Sequence, residues 1–175
     1  MQGHTAHATS SDAIATARES LEMYASVCED MLALPCIKGR KSPSERFAGA
    51  DDTFTIEALM QNGWALQSGT SHFLGQSFAK AFDVFFQTES GTRELVWATS
   101  WGVSTRLLGA LVMTHSDDKG LVLPPRIAPV QVVVVPISKG SGEEHERLMA
   151  AVENVRRSLS ATGLRVKVDA RQDMR

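Results

Sequence analysis

Apolar residues at 14, 17, 21, 25, 28 and 32 recur at steps of three and four, which predicts one amphipathic helix over 9–33. Thr9 with Asp12 reads as a capping box at its start, and Pro35 ends it. Tyr24 and Met31 are assigned to the core or its edge. "CIKGR" comes next as a short strand running into a Pro/Ser/Gly-rich loop. The period then drops to two in "TFTIEALM", where Phe54, Ile56 and Ala58 take one face and Thr55, Glu57 and Leu59 the other. Asn62-Gly63 signals a type I′ hairpin with "WALQSGT" returning antiparallel. A helix is expected over 73–82, then a second hairpin, "DVFFQT" and "RELVWAT", joined by Glu89-Ser90-Gly91. "VSTRLLGALVMTH" has helical spacing through Leu107, Leu111 and Met113. Antiparallel hairpins interleaved with helices predict an α+β sheet domain.

The character changes at "LVLPPRIAP", an extended proline-punctuated linker. "VQVVVVPI" is a β-branched run of the kind found in strands buried on both faces. "GEEHERLMAAVENVRRSLSATG" predicts a helix with an acidic start and a basic end, and "LRVKVDA" another strand. This β-α-β unit opens a separate parallel-sheet domain. Two strands are too few for an independent core, so the chain is expected to be a fragment truncated at both ends.

Composition narrows the function classes. The 175 residues carry a net charge of −2, so no global electrostatic footprint marks a nucleic-acid binder, although a local patch stays open. Two cysteines, Cys28 and Cys36, make neither a disulfide framework nor a CxxC pair. No apolar run approaches the ~18 residues of a membrane span. "MQGHTAHATSS" lacks the regions of a signal peptide. His4 and His7 have no third metal ligand at convincing spacing. "GRKS" lacks the upstream glycine of a phosphate-binding loop and reads as strand end and loop.

Three polar features remain. Thr55 and Glu57 share a strand face, either as a solvated edge or as a sheltered carboxylate waiting for a cation. Gln67, Ser68, Thr70, Ser71 and His72 read as a strand-to-helix junction. Either Thr70 or Ser71 caps the helix there, or hydroxyls, an amide and a helix N-terminus converge on an anion. In "TSWGVSTRLLG", Arg106 lies in a helix's first turn, where it opposes the dipole at a cost of ~0.3–1 kcal/mol. A phosphate ligand or a structural aspartate would offset that.

Taken in order, "GHTAHAT", "KGRKSPSERFAGA", "TIEAL", "LQSGTSHFLGQSF", "TSWGVSTR" and "MTHSDDKGLVLPPRIAPVQVVVVPI" resemble the prolyl-tRNA synthetases of the eukaryotic/archaeal-like type. The resemblance implies the C-terminal half of a class II catalytic domain over 1–126, an antiparallel sheet with flanking helices, and the start of an α/β anticodon-binding domain over 127–175. It implies proline–tRNA ligase activity: ATP and proline give prolyl-adenylate, and the prolyl group passes to proline tRNA, with Mg²⁺ accompanying ATP. "GHTAH" looks like the end of motif 2 and "TSWGVSTRLLG" like motif 3. By the same resemblance Thr55 and Glu57 bind the proline ammonium, with His72, His4 and Phe47 around the proline. Gln67, Thr70, Ser104 and Arg106 approach ATP, and Arg106 and Glu57 are the catalytic assignments. A homodimer with no membrane association, in the cytoplasm or an organelle, is implied for the full-length enzyme. Motif 1 and the first part of motif 2 are absent from this sequence, so the chain alone is expected to be inactive. The rival readings are a non-catalytic synthetase-like binding or regulatory module, and an RNA-binding fragment using only 130–168.

Overall fold

The computed structural model describes residues 2–137 and 142–171. Met1 and the parts of the expected second domain at 138–141 and 172–175 lie outside the described residues. The chain divides into two compact units, Met1–Leu123 and Pro124–Arg175.

The first unit is built on a five-stranded antiparallel sheet of β1 (Gln2–His7), β2 (Cys36–Arg40), β3 (Asp52–Leu59), β4 (Ala65–Gly75) and β7 (Trp97–Gly102). Their spatial order is β1-β7-β4-β3-β2. Helix α1 (Ser10–Ser26) packs across one face, where Leu21, Tyr24, Phe54 and Ile56 form the centre of the core. Its start is as expected: the Thr9 hydroxyl accepts the Asp12 N–H at 3.2 Å and donates to the Asp12 carboxylate at 2.7 Å. Its end differs. The last turn widens into a π-turn over Val27–Met31, closed by Ala33 in the left-handed region (φ 52°). The wider turn shifts the angular positions of the residues in and after it, so Cys28 and Leu34 stay buried and Met31, expected in the core or at its edge, is 41% exposed.

The alternation in β3 holds, with Phe54, Ile56 and Ala58 buried against α1. The hairpin after it forms with a different turn. Gly63 N–H bonds to Met60 C=O at 2.9 Å, so Gln61-Asn62 are the central residues and only Gly63 has positive φ (82°). A type I′ turn would need Asn62 left-handed too. Asn62 instead uses its side-chain oxygen to accept the Trp64 N–H at 3.1 Å.

The largest departure is at 73–82. Strand β4 continues to Gly75 and leaves only the short helix α2 (Ser77–Ala81). Residues 70–73 pair with β3 on one side and β7 on the other, so ladder bonds override the helical spacing of the phenylalanines. Neither Thr70 nor Ser71 caps a helix, and no helix starts within 67–72, although the first residue of the later helix at 106 lines the same hollow. "RELVWAT" is shared between two sheets: β5 (Phe85–Gln87) pairs with β6 (Arg93–Leu95), and β7 joins the main sheet. Helix α3 (Arg106–His115) buries Ala110 and Leu111. Met113 stands off that face and is exposed, contrary to its expected role.

The second unit contains β8 (Val132–Val134), α4 (Glu143–Ala161) and β9 (Val166–Val168), with β8 and β9 parallel. The β-α-β expectation is met. The valine run is not buried on both faces: Val133 is 52% exposed, because a two-stranded sheet covered on one side leaves the other open. The acidic start of α4 is present in Glu143, Glu144 and Glu146, but its last turn holds no base. Arg156 instead makes two bonds of 2.6 and 2.7 Å to Glu153, one turn back.

Candidate functional site

The face of the main sheet opposite α1 is polar, and strand pairing arranges it in rows. Paired residues on neighbouring antiparallel strands point to the same side. One row runs Thr53–His72–Ser100–His4 across β3, β4, β7 and β1. The next runs Gly39–Thr55–Thr70–Gly102–Gln2, and a third Ile37–Glu57–Gln67. Gln67 and Thr70 are three apart and would face opposite ways on a regular strand. Ser68 is extruded as a β-bulge between Ile56 and Glu57 of the partner, which restores both to the polar face. The Ser68 hydroxyl closes the bulge on Leu66 C=O at 3.1 Å.

Two adjoining hollows open on this face. The apolar one, about 430 Å³, is lined by Phe47, Leu74, Phe78, Val84 and Val96, with His4 at its polar wall. The polar one, about 560 Å³, is lined by Gln67, Thr70, His72, Ser104 and Arg106 among others. Gln2 and Ser100 line both. Phe47 and His72 join them from the other side, with ring centroids 5.1 Å apart. Thr55 and Glu57 line a third hollow, formed with the 39–42 segment. Glu57 therefore sits beside Gln67, two rows and ~13 Å along the strand from the His4–His72 row. Thr55 is 6% exposed and donates its hydroxyl to Gly69 C=O at 3.2 Å, which turns its oxygen lone pairs toward any donor on this face.

The electrostatics of this face are cationic at one end. Arg106, at the first position of α3, reaches the Gln67 backbone carbonyl through Nη1 at 3.4 Å. The aspartate partner considered for it is absent among the described ion pairs. Lys41 donates from Nζ to Gln67 Oε1 at 2.5 Å. His72 is held below the usual imidazole range, first by burial and then by the Lys41 charge. The Nδ1 of His72 is 2.9 Å from the Thr53 hydroxyl.

His4 and His7, three apart on β1, point to opposite faces, and among the described residues no group of three acids, histidines or cysteines gathers around a metal position. No protein-family model matches the chain. Curated relatives do. Proline–tRNA ligase of Porphyromonas gingivalis W83 is 58% identical over 168 residues, 96% of this chain and 34% of the relative. That of Amoebophilus asiaticus is 55% identical over 172 residues, 98% and 35% respectively. The chain is homologous to proline–tRNA ligases over nearly its whole length. It spans about a third of those relatives' length. Its fold agrees with the homology: prolyl-tRNA synthetase from Cryptosporidium parvum, solved with L-proline and AMP, superposes with a TM-score of 0.89. That structure is 45% identical and is matched over 99% of this chain and 37% of its own.

Measured against the ligase homology, the structure gathers His4, Phe47 and His72 around one end of the face and Gln67, Thr70, Ser104 and Arg106 at the other. Thr55 and Glu57 are not brought to His4 and Phe47. Lys41 is the residue that sequence reading missed. Its "GRKS" context correctly reads as strand end and loop, but only the β2–β3 register reveals that the side chain extends over β3 to Gln67.

Proposed function

We propose that the chain supplies proline- and ATP-binding parts of a proline–tRNA ligase. The observation that carries the reading is the pair of adjoining hollows, one apolar and one polar, meeting at Ser100 and the Phe47–His72 contact. An amino acid with an apolar ring suits the first. A nucleotide, with its polar ribose and charged phosphates, suits the second.

In this reading the pyrrolidine ring lies against Phe47 and Phe78, with His4 and His72 at its polar edge. Burial keeps His72 neutral, so its imidazole orients substrate by hydrogen bonding without repelling the proline ammonium. Gln67, Thr70 and Ser104 hold the nucleotide, and Arg106 stacks on the base or grips a phosphate with its planar guanidinium. A proline carboxylate oxygen attacks the α-phosphorus in line. The new P–O bond forms as the bond to the β-phosphate breaks, and pyrophosphate leaves. The residues position reactants and neutralise charge, and none acts as nucleophile.

Of the two residues implied for the ammonium, Thr55 keeps that role in this reading and Glu57 takes another. With its proton on Gly69 C=O, the Thr55 oxygen has lone pairs left to accept from the ammonium, whereas Glu57 stands beside Gln67 at the nucleotide end. Mg²⁺ that travels with ATP keeps its waters and phosphate oxygens and needs only one or two carboxylates, so the lack of a three-acid cluster is compatible with it. Glu57 is the acid on this face suited to hold it, where the ion would offset phosphate charge. Transfer to proline tRNA, anticodon binding by the second unit, pairing of two copies and a cytoplasmic home belong to the same proposal. Among the described residues no helix is long and apolar enough to cross a membrane.

Calorimetric titration of the chain with AMP and with proline tests the reading. One-to-one binding of each is expected. Binding of neither would overturn it in favour of a synthetase-like module without substrates.

A further inference from the structure

Lys41 sits where β2 gives way to a loop, and its backbone is fixed on both sides. Its N–H bonds to Thr53 C=O at 2.9 Å, and its C=O accepts from Arg46 Nε at 3.5 Å. Arg46 is itself anchored to Asp51 C=O at 2.7 Å and to the Asp52 carboxylate at 3.6 Å. From that fixed root, level with Thr53, the side chain runs over β3 to reach Gln67 on β4.

What it finds there is a neutral amide. An ammonium has three protons, and the one described bond uses one of them. Among the described residues Lys41 enters no ion pair, although Glu57 lies in register with Gln67. Arg106 approaches the same Gln67 from the other side, on its backbone carbonyl. Two cations without carboxylate partners thus flank one residue. Mutual repulsion and partial desolvation make such a pair costly unless an anion enters between them.

We infer that Lys41 is a further substrate-binding residue of this site: its ammonium rests on Gln67 in the free protein and takes an oxyanion of the nucleotide's phosphate chain when ATP binds. Lysine suits this as a compact point charge on a flexible stem, able to swing from an amide to a phosphate without moving the backbone. The lowered basicity of His72, caused by burial and then by Lys41, agrees with a positive potential extending from Lys41 toward the proline end. This inference rests on the nucleotide reading of the polar hollow.

The test compares Lys41→Met, Lys41→Gln and Lys41→Arg with the wild-type full chain by calorimetric titration with ATP and, separately, adenosine. Melting temperature is recorded for each variant. Loss of one charged hydrogen bond predicts ATP affinity falling about ten- to a hundredfold in Lys41→Met and Lys41→Gln, with adenosine unchanged. Lys41→Arg is expected to recover most of the ATP affinity. Lys41→Gln removes the charge while keeping a polar end, so it serves if the methionine variant fails to fold. Unchanged ATP affinity, or equal losses for ATP and adenosine, would overturn the inference and leave Lys41 a structural tie to β4. Failure of the wild-type chain to bind ATP would instead remove the nucleotide reading itself. As a second readout, the His72 imidazole should titrate at higher pH in Lys41→Met, and an unmoved titration contradicts the proximity on which the inference stands.

Discussion

Gln67 and Thr70 point from the same face of the sheet although they are three positions apart on one strand, because Ser68 between them is pushed out as a bulge. Were Ser68 held in a regular strand, without the bulge, only one of the two could face the hollow. Deleting Ser68 leaves Gln67 and Thr70 two apart, so a regular strand without the bulge still presents both to the hollow and keeps Leu66 against the core. AMP binding is expected to survive the deletion, with stability changed by about 1 kcal/mol or less, and loss of binding would contradict the assignment of Ser68 as the extra residue. Denaturant unfolding and calorimetry on the same sample would check both.

The two cysteines should differ in reactivity. The Cys28 thiol is pushed up to about 12, mainly by burial and then by its neighbour Cys36, whereas Cys36 is only partly buried. A thiol-specific disulfide reagent at pH 8 is expected to label Cys36 slowly and Cys28 only after denaturant is added. Peptide mapping of the labelled sites that found Cys28 first would contradict the packing of the π-turn.

How much of this was legible in sequence depends on where local rules dominate. The capping box at Thr9 and the alternation of Phe54, Ile56 and Ala58 are local statements, and they survive folding intact. Strand β1 escaped notice because one of its faces is the site: Gln2 and His4 look into the hollows and supply no apolar period. The helix expected over 73–82 failed because Phe73 and Phe78 serve different elements, one in a central strand and the other in a short helix. Two-sided pairing of β4 is information that only β3 and β7 hold. The same is true of Lys41, whose reach is set by strand register, and of Thr55 and Glu57, whose motif says nothing of the distance to His4.

Stability should depend on pH through His72. Its folded-state value lies below the unfolded one, so the unfolded chain binds the proton first as pH falls. The contribution from neutral His72 is therefore complete above the unfolded value near ~6.5 and declines as pH drops from there to the folded value. Melting temperatures measured from pH 7.5 to 5 should fall for the wild type. In His72→Gln that decline should be shallower, and an identical profile would count against the burial of this imidazole.

Gly3 faces the other side of the sheet, where a Cβ would fall inside the Trp101 indole. Gly3→Ala must displace a side chain that also contacts Tyr24 at 6.1 Å between ring centroids. A destabilisation of about 1–3 kcal/mol is expected, with a change in tryptophan emission in the native state.

On the proposed reading the two hollows serve one reaction, so a non-hydrolysable prolyl-adenylate analogue should occupy both with a single molecule. Its affinity should be measured by calorimetry for the wild-type chain, Phe47→Ala and Arg106→Ala. The prediction is one-to-one binding that weakens at least tenfold in each variant, although the two side chains serve opposite ends of the ligand. Binding that is indifferent to either substitution, or stoichiometric binding that survives both together, would contradict the shared site.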